Sequence, residues 1–430
     1  MAKLLVLTSR LPYPPREGHQ LRAWHILRAL AAAHQISLLS FVRDDDEPDG
    51  CEPLREMLVH FETFSIPAQQ SGRQLAFAAA RSVFGSRPFV AEKYTSAQMR
   101  LRASALASAV DLVHVDMLPL MSLIGNPARR VPVVLNAHNV EHVLLRQRAA
   151  IEPRWPQRLF LRNQVAKLQA YERDACRGAS HILACSQDDA DALAALAPET
   201  PVSIVPNGVD TERNRPAASA IPDHPPRLVF VGQMGWFPNR DGVQWFLDEV
   251  FPRILAERQD AEFVLVGKPQ GLRVPAPLRE RVRLPGFVEN LDSVVHQAAV
   301  YVVPLRTGSG TRLKVLEAMA FGKAIVTTNI GAQGIELEPG AEALFADSAE
   351  DFAAAVLRLI ANPHEAARLG SAARAKAQLL YDWDTIGRQV VSTYARLLQD
   401  ASSSNISAAL RSRASDKATR RSIRGSLPRS

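Results

Sequence analysis

The sequence predicts an α/β protein with two doubly wound parallel-sheet domains that face each other across a cleft. The chain has 430 residues, more than the roughly 250–300 residues that one hydrophobic core usually serves. Short apolar runs alternate with longer helical patterns along most of its length. A proline-rich segment without apolar periodicity, Pro206–Pro226, interrupts this alternation near the middle. These three observations together favour two domains of the same class.

Each half of the chain contains six candidate strands. They are nearly continuous in apolar character, which is typical of parallel strands buried on both faces. The candidates are Lys3–Thr8, Ile36–Phe41, Leu112–Val115, Val131–Asn136, His181–Ala184 and Val202–Val205, then Leu228–Val231, Glu262–Val266, Arg281–Leu284, Val300–Val303, Ala324–Thr327 and Ala343–Phe345. Two such series in succession predict two sheets, each with helices on both faces.

Composition also predicts where the domains begin and end. After the second series come helical patterns at Ala349–Ala361, Pro363–Leu380 and Trp383–Gln399, and from Ala401 Ser and Arg replace apolar periodicity. The predicted units are a first domain over 1–205, a linker over 206–226, a second domain over 227–380, a closing helix over 381–400 and a disordered basic tail over 401–430.

Charge and composition argue against several classes of protein. The net charge is +7, but seven Lys/Arg against one Asp lie between Arg411 and Arg429. The body is therefore nearly neutral, and no nucleic-acid partner is expected. The longest apolar stretch, Ala105–Ile124, is broken by charged residues, and the N-terminal apolar run is too short for a signal peptide. Three cysteines without metal-ligand spacing fit reduced thiols, so we expect a cytoplasmic protein.

A candidate ligand site lies where an apolar strand passes into a helix. The strand YVVPL is followed by a loop with Ser309, Gly310 and Thr311, and then by the helical pattern RLKVLEAMAFG. This order directs free backbone amides outward at the carboxyl end of a parallel sheet, where anions bind. We expect Thr311 to cap the helix and Gly322 to end it.

Two cations and one carboxylate give this segment its chemistry. Arg312 and Lys314 add positive charge beside the amides, which suits a diphosphate. Glu317 lies one turn further along, where it could accept hydrogen bonds from a ribose diol. The alternative is a capped helix with a solvated basic first turn and a Glu317–Lys314 ion pair. Cations there oppose the helix dipole by roughly 0.3–1 kcal/mol each, which makes them unusual choices for stability alone.

Several segments follow one another in the order known from one family. They are LTSRLPYPPREGHQLRAWHILRAL, NAHNVEH, ACSQDDA, VPNGVD, FVGQMGWFPNRDGVQWF, SGTRLKVLEAMAFGKAIVTT and YDWDTI. In this order, from Lys3 to about Leu398, they resemble glycosyltransferase family 4, the group 1 transferases of GT-B architecture. The likeness is greatest to sugar transferases of exosortase-associated exopolysaccharide systems.

The resemblance implies two Rossmann-like domains and transfer of a sugar from a nucleotide diphosphate sugar, with retention of configuration. The acceptor would be a sugar or a lipid-linked sugar, and no metal or other cofactor is expected. Gly18 would let the backbone approach the donor, although alone it indicates only a tight turn. His138 would line the acceptor side, either binding the donor sugar or relaying a proton, with Glu141 a weaker candidate there. A loop histidine is otherwise a local hydrogen-bonding residue.

Two departures from the family pattern affect the donor site. Ser309 stands where the family usually has the first Glu of its Glu-x7-Glu motif, which leaves the contacts to the sugar open. The usual Arg and Lys of the first loop in the second domain are here Gln233 and Asp241. We therefore expect Arg312 and Lys314 to carry the phosphate charge, rather than the neighbouring Arg240. Asn207 and Gly208 are interpreted as hinge residues.

Two further segments have both a functional and an ordinary interpretation. The Asp-x-Asp in RDDDEPDG (Arg43–Gly50) could hold a metal, but a solvated acidic loop is favoured. Arg146–Arg177 carries eight Lys/Arg against three acids. It could lie on the inner membrane surface or cover the domain core with extended arginines.

Three rival activities remain open at this stage. They are a nucleotide-sugar epimerase or a sugar phosphorylase on the same architecture, and a non-catalytic sugar-nucleotide-binding protein. Incubating the donor alone would identify an epimerase, since no acceptor is needed.

Overall fold

The structure is a computed structural model that describes residues 1–15, 17–43, 46, 50–69, 71–124, 131–217, 225–308, 310–401 and 403. Two separate sheets form over these residues, one in each half of the chain, and every strand pair in them is parallel. The predicted fold class, with two Rossmann-like domains, is confirmed. None of the described helices has the length and apolar character needed to cross a bilayer.

The first sheet has seven described strands in the order β3-β2-β1-β4-β5-β6-β7. They are β1 (Lys3–Thr8), β2 (Gln35–Val42), β3 (His60–Ser65), β4 (Leu112–Asp116), β5 (Val133–Asn136), β6 (His181–Ala184) and β7 (Val202–Ile204). Its helices are α1 (Gly18–Ala33), α2 (Glu52–Met57), α3 (Gly72–Phe84), α4 (Phe89–Lys93), α5 (Ala97–Ala107), α6 (Glu141–Ile151), α7 (Trp155–Gly178) and α8 (Gln187–Leu196). The sequence patterns missed β3, because it is an edge strand in which only Phe64 is buried.

The second sheet has six described strands in the order β10-β9-β8-β11-β12-β13. They are β8 (Arg227–Val231), β9 (Glu262–Val266), β10 (Val282–Gly286), β11 (Val300–Val303), β12 (Ile325–Thr327) and β13 (Ala343–Phe345). The helices are α9 (Phe237–Trp245), α10 (Phe251–Glu257), α11 (Asp292–Val295), α12 (Leu313–Ala320), α13 (Ala349–Ala361) and α14 (Pro363–Lys376). All six predicted strands of this half form. Five of the described strands have largely buried interiors, whereas β10 is an edge strand with an exposed interior.

A last helix, α15 (383–401), returns to the first domain. Trp383, Ile386, Val390 and Tyr394 are buried in the same apolar cluster as strand β1 and helix α1. The segment that leaves β7 lies beside this helix: a Cβ added at Gly208 would lie 2.6 Å from the Trp383 ring. The domain boundaries stay predictions. Residues 218–224 of the predicted linker and 404–430 of the predicted tail lie outside the described residues.

Candidate active site

Strand β11 runs into α12 through a tight loop at the carboxyl edge of the second sheet. Gly308 and Gly310 have φ angles of 113° and 80°, which other residues rarely adopt. The helix begins at Leu313 with Arg312 as its N-cap, so the predicted capping by Thr311 is wrong. The Thr311 hydroxyl is instead buried with no hydrogen-bond partner in the described chain. Ser309 lies outside the described residues. Gly322 ends the helix with a φ of 64°, as expected.

Lys314 points from α12 to the carboxyl end of β8. Its Nζ donates to Asn239 Oδ1 at 2.5 Å and lies 4.2 Å from the centre of the Phe230 ring. A Cβ added at Gly232 would lie 2.9 Å from the same Nζ, so a larger residue there would displace the ammonium. Burial, reinforced by the charge of Arg312, lowers the pKa of Lys314 to about 7. An incoming anion would favour its protonated form.

Glu317 follows Lys314 by one turn and is half-buried. Burial raises the pKa of Glu317 to about 7, against the opposing charges of Lys314 and Arg213. The described ion pairs do not include one between Glu317 and Lys314. The alternative of a surface helix stabilised by this pair is therefore not supported. Hydroxyl donors placed at this carboxylate would favour its ionised form.

Arg312 packs within the second domain and is 3% exposed. Its guanidinium lies 5.8 Å from the Trp236 ring and against Gly308, and its Nε donates to the Ile330 carbonyl at 3.4 Å. Burial lowers the pKa of Arg312 to about 10. Arg312 and Lys314 therefore diverge from the helix start, with Lys314 aimed at β8 and Arg312 at the loops after β8 and β12.

The two domains meet at the predicted donor loop. A Cβ added at Gly18, the first residue of α1, would lie 2.8 Å from Leu313 Cδ1. A Cβ added at Gly310 would lie 2.5 Å from Asn139 Oδ1 of the first domain. A crevice beside this contact is lined by Val143 and Asp189 from the first domain and by Gln333 from the second. The structure thus brings Gly18, Gly310 and the start of α12 together beside an interdomain crevice.

His138 lies just beyond the carboxyl end of β5. Its Nε2 is 2.8 Å from Asp116 Oδ1, and Asn136 Nδ2 donates to the same oxygen at 2.7 Å. Burial alone would raise the pKa of Asp116, but the charge that His138 carries when protonated, and hydrogen bonds from His114 and His138, hold it well below its usual range. His138 is therefore the partner of an ionised buried carboxylate, rather than an isolated loop histidine.

Glu141 occupies the first turn of α6, near Asn139. The Glu172 carboxylate of α7 accepts from the backbone N–H groups of Glu141 at 2.8 Å and His142 at 3.2 Å, and bonds His142 Nδ1 at 2.6 Å. Burial and the charge of Glu172 raise the pKa of Glu141 to about 7. The Glu141 side chain also bonds Asn139, the residue that contacts Gly310 of the donor loop.

Several polar residues at the site were missed by the sequence analysis. They are Arg22, Asp116 and Asn136 in the first domain and Asn239 in the second. Arg22 is buried and donates to Asn136 Oδ1 at 2.8 Å, and to the Val205 and Pro206 carbonyls at 2.8 and 3.0 Å. Asp116 and Asn136 could have been found, because each is the last residue of a parallel strand. Asn207 Oδ1 also accepts a hydrogen bond from Arg22 Nη1, at 3.3 Å.

The charged residues that follow β8 contact other residues of the second domain. Arg240 lies against the Phe237 ring, and Asp241 pairs with Arg306 at 3.0 Å. In the acidic loop after β2, Asp44 and Asp45 lie outside the described residues. Asp46 accepts from Arg10 Nε and from the Arg43 backbone, both at 2.9 Å. Among described residues there is no group of three His, Cys, Asp or Glu placed to hold a metal ion.

Comparison with known families matches both halves of the chain. A sequence model described as glycosyltransferase family 4 matches residues 16–213, and one described as glycosyl transferases group 1 matches residues 225–362. Among curated proteins, the chain is 21% identical to an "uncharacterized 44.6 kDa protein in cps region" of Klebsiella pneumoniae, over 84% of this chain and 92% of that protein. It is 27% identical to the MMP alpha-(1->4)-mannosyltransferase of Mycolicibacterium hassiacum, over 67% and 71% of the two chains.

Solved structures share the two-domain fold. Sucrose-phosphate synthase from Thermosynechococcus elongatus superposes with a TM-score of 0.67 at 20% identity, over 93% of this chain and all of that one. HepE of Anabaena in complex with UDP superposes with a TM-score of 0.62 at 14% identity, over 92% of this chain and all of that one. At these identities the likeness is one of fold.

Proposed function

Because the chain belongs to the family 4, group 1 glycosyltransferases of GT-B architecture, we propose that it moves a glycosyl unit from a nucleotide diphosphate sugar to a hydroxyl acceptor. Sugar transfer itself follows from the family. The nature of the donor and acceptor, the retention of configuration and the residues that act are the proposal.

The observation that carries the proposal is the position of Lys314. Its ammonium lies at the carboxyl end of β8, one turn from Glu317, and the preceding residue, Leu313, meets Gly18 of the first domain. When the sugar leaves, negative charge develops on the phosphate oxygens of the nucleoside diphosphate. Lys314 and the free amides at the start of α12 would stabilise that charge more than the ground state. Arg312 would add positive charge from the side of the loops after β8 and β12. Glu317 would accept hydrogen bonds from the ribose hydroxyls.

A binding screen followed by product analysis tests this function. Nucleotide diphosphate sugars are screened by thermal shift, and reactions with an acceptor panel are analysed by mass spectrometry. Lys314→Ala and Arg312→Ala should each lower kcat/KM by roughly ten- to a thousandfold with folding intact. Arg306→Ala, which removes an exposed cation of the same loop, is the matched control. Wild-type turnover in both site variants would refute the phosphate role, and conversion of donor without acceptor would indicate an epimerase.

We also propose that the reaction needs no metal and retains the anomeric configuration. The family resemblance supports both, and Lys314 supplies positive charge that a metal would otherwise provide. Product formation should survive excess EDTA, and NMR of the product should show the donor's anomeric form. Loss of turnover in EDTA that Mg²⁺ restores would contradict the first part, and an inverted product the second.

For the acceptor, we propose a lipid-linked sugar in exopolysaccharide assembly, with the first domain lying on an anionic membrane surface. The support is a surface formed by α3 and α7. Residues 71–91 and 153–171 together carry seven Lys/Arg and no acid. On these helices Phe84 is 90% exposed and Trp155 70% exposed, with Phe77 and Leu159 also largely exposed. Cations around exposed aromatic side chains suit a bilayer with anionic headgroups.

The two helices form one continuous surface. Lys167 Nζ of α7 donates to the Ser82 and Val83 carbonyls at the end of α3, at 2.7 and 2.6 Å. Helix α7 has 24 residues, about 36 Å, while the following strand β6 has four. Since α7 ends near the start of β6, its Trp155 end extends past the carboxyl edge of the sheet. That is the edge at which His138 lies, so a docked bilayer would be near the crevice.

Vesicle binding tests this surface. The protein should sediment with phosphatidylglycerol vesicles and much less with phosphatidylcholine vesicles, and added salt should release it. The double variant Phe84→Ser, Trp155→Ser should bind at least about tenfold more weakly. Phe287→Ser is the control, because Phe287 is equally exposed at 70% but belongs to the second domain. Equal binding of wild type and double variant, or binding to neither vesicle, would overturn the membrane proposal without affecting sugar transfer.

A further inference from the structure

Asp116 is a buried carboxylate whose contacts all come from the first domain and α15. It ends β4 and is 2% exposed. Its Oδ1 is bonded to His138 Nε2 at 2.8 Å and Asn136 Nδ2 at 2.7 Å, and lies 3.9 Å from His114 Nε2. In the described chain, the ion pairs of Asp116 are with imidazoles alone. Removing a carboxylate from water costs free energy unless nearby groups donate hydrogen bonds or carry opposite charge. The contacts with the imidazoles therefore stabilise the ionised form of Asp116.

The contact fixes which ring nitrogen of His138 carries the proton. An ionised carboxylate accepts hydrogen bonds and cannot donate, so the 2.8 Å contact places the proton on Nε2. Asn136 Nδ2 also lies 3.3 Å from Nε2, but its shorter bond, at 2.7 Å, goes to the carboxylate. In the neutral ring, Nδ1 then holds the lone pair. No described residue bonds Nδ1, and the side chain retains 7% exposure. The titratable groups near this ring are Asp116 and His19. Burial lowers the pKa of His19, although the charge of Glu17 acts in the opposite direction.

We propose that Asp116 is a positioning residue for His138: it holds the proton on Nε2 and so presents Nδ1 as hydrogen-bond acceptor for a hydroxyl of the bound sugar. This rests on the proposed function, because it requires that His138 meets the substrate. It also selects between the two roles left open by the sequence, since an acceptor nitrogen oriented by a carboxylate binds a sugar hydroxyl without moving a proton.

The position of His138 supports this assignment. The next residue, Asn139, contacts Gly310 of the donor loop across the domain boundary, and the His138 ring lies near His19, which follows Gly18. The rival interpretation is that Asp116 only balances buried histidines. His114 provides the comparison, because its Nδ1 is 2.5 Å from the hydroxyl of Tyr394 on α15 and its ring is buried in the domain interior. A purely structural carboxylate would depend on His114 and Tyr394 as much as on His138.

The test combines NMR of ¹⁵N-histidine with kinetics. In the wild type, His138 should show the Nε2–H tautomer; finding Nδ1–H would overturn the proposal without any variant. Asp116→Asn has nearly the same shape, but its amide can donate to Nε2. It should shift His138 toward Nδ1–H and, because the contact with the sugar hydroxyl is lost, lower donor affinity and kcat/KM at least about tenfold, with binding of the nucleoside diphosphate alone, by thermal shift, retained. Tyr394→Phe, the control, should leave both the tautomer and kcat/KM unchanged.

The outcomes separate this inference from the function itself. Product formation by the wild type tests sugar transfer, and loss of activity in His138→Ala tests whether His138 meets the substrate. If His138→Ala is inactive while Asp116→Asn keeps the wild-type tautomer and rate, the positioning role alone is wrong. Equal losses in Asp116→Asn and Tyr394→Phe would assign Asp116 to folding.

Discussion

The properties of Lys314 arise from its neighbours rather than from its place in the sequence. Contacts with Phe230, Gly232 and Asn239 bury an ammonium that the TRLK pattern alone would leave at the surface. Burial lowers its pKa to about 7, and Glu317 is raised to about 7 for the same reason. Both side chains therefore change charge near neutral pH, and a bound diphosphate would favour the charged form of the lysine.

This gives a pH dependence with a definite sign. The anion favours protonated Lys314, so above pH 7 binding must take up a proton. The affinity for pyrophosphate should then fall by up to about tenfold per pH unit. Calorimetry at pH 6.5, 7.5 and 8.5 measures this. Glu317→Gln removes the carboxylate that ionises in the same range and should keep most of the slope, whereas Lys314→Met should abolish it. A slope that survives in Lys314→Met would contradict the assignment.

At the scale of elements, α6 has no capping side chain of its own. Its N-cap is Val140, and the first amides are satisfied by Glu172, which lies 31 residues after Glu141 in α7. Sequence reasoning finds caps from local residues, such as Ser348 at α13, and cannot see a cap from another helix. Edge strand β3 was missed for a related reason. It is held by its pairing with β2, and with only Phe64 buried it has no apolar pattern that would predict a strand.

Removing the charge of Glu172 should therefore weaken the first domain. Glu172→Gln replaces a buried carboxylate that accepts two backbone bonds and one from His142. We expect the free energy of unfolding to fall by about 1.5–3 kcal/mol. Urea unfolding measures the change. Asp174→Asn is the control, since this acid of the same helix is exposed; a similar loss there would indicate a general effect of charge on α7.

At the scale of the whole molecule, the chain crosses between its domains twice. It leaves the first domain after β7 and returns in α15, whose Trp383, Ile386 and Val390 fill the first core. The crossings are adjacent, because Val209 pairs with Asp382 and Thr211 Oγ1 donates to the Asp382 carboxylate at 2.6 Å. Arg22 donates both to the Val205 carbonyl, where the chain leaves the first domain, and to Asn136, which bonds Asp116. A movement of the crossing segment would therefore reach Asp116 through Arg22 and Asn136.

Two truncations test this arrangement. A chain ending at residue 382 exposes the apolar surface that α15 covers, and its first domain should be largely unfolded or aggregated. A chain ending at residue 403 keeps α15 and removes the basic tail, and should keep the wild-type Tm and transfer rate. Circular dichroism melting and a transfer assay measure both. A folded, active 382-residue chain would show that α15 is dispensable, and loss of activity in the 403-residue chain would give the tail a role.

The sequence by itself determined the fold class, nearly all strands and the loop that leads into α12. These features depend on apolar periodicity and on the positions of glycine and charged residues. Both are properties of short continuous segments, so they can be seen in the sequence. The tertiary structure decided that Arg312 and Lys314 diverge, that Arg312 rather than Thr311 begins the helix, and that Asp116 holds His138. Each of these depends on contacts between residues distant in sequence, and burial, which shifts pKa values and selects hydrogen-bond partners, exists only once the sheets have packed.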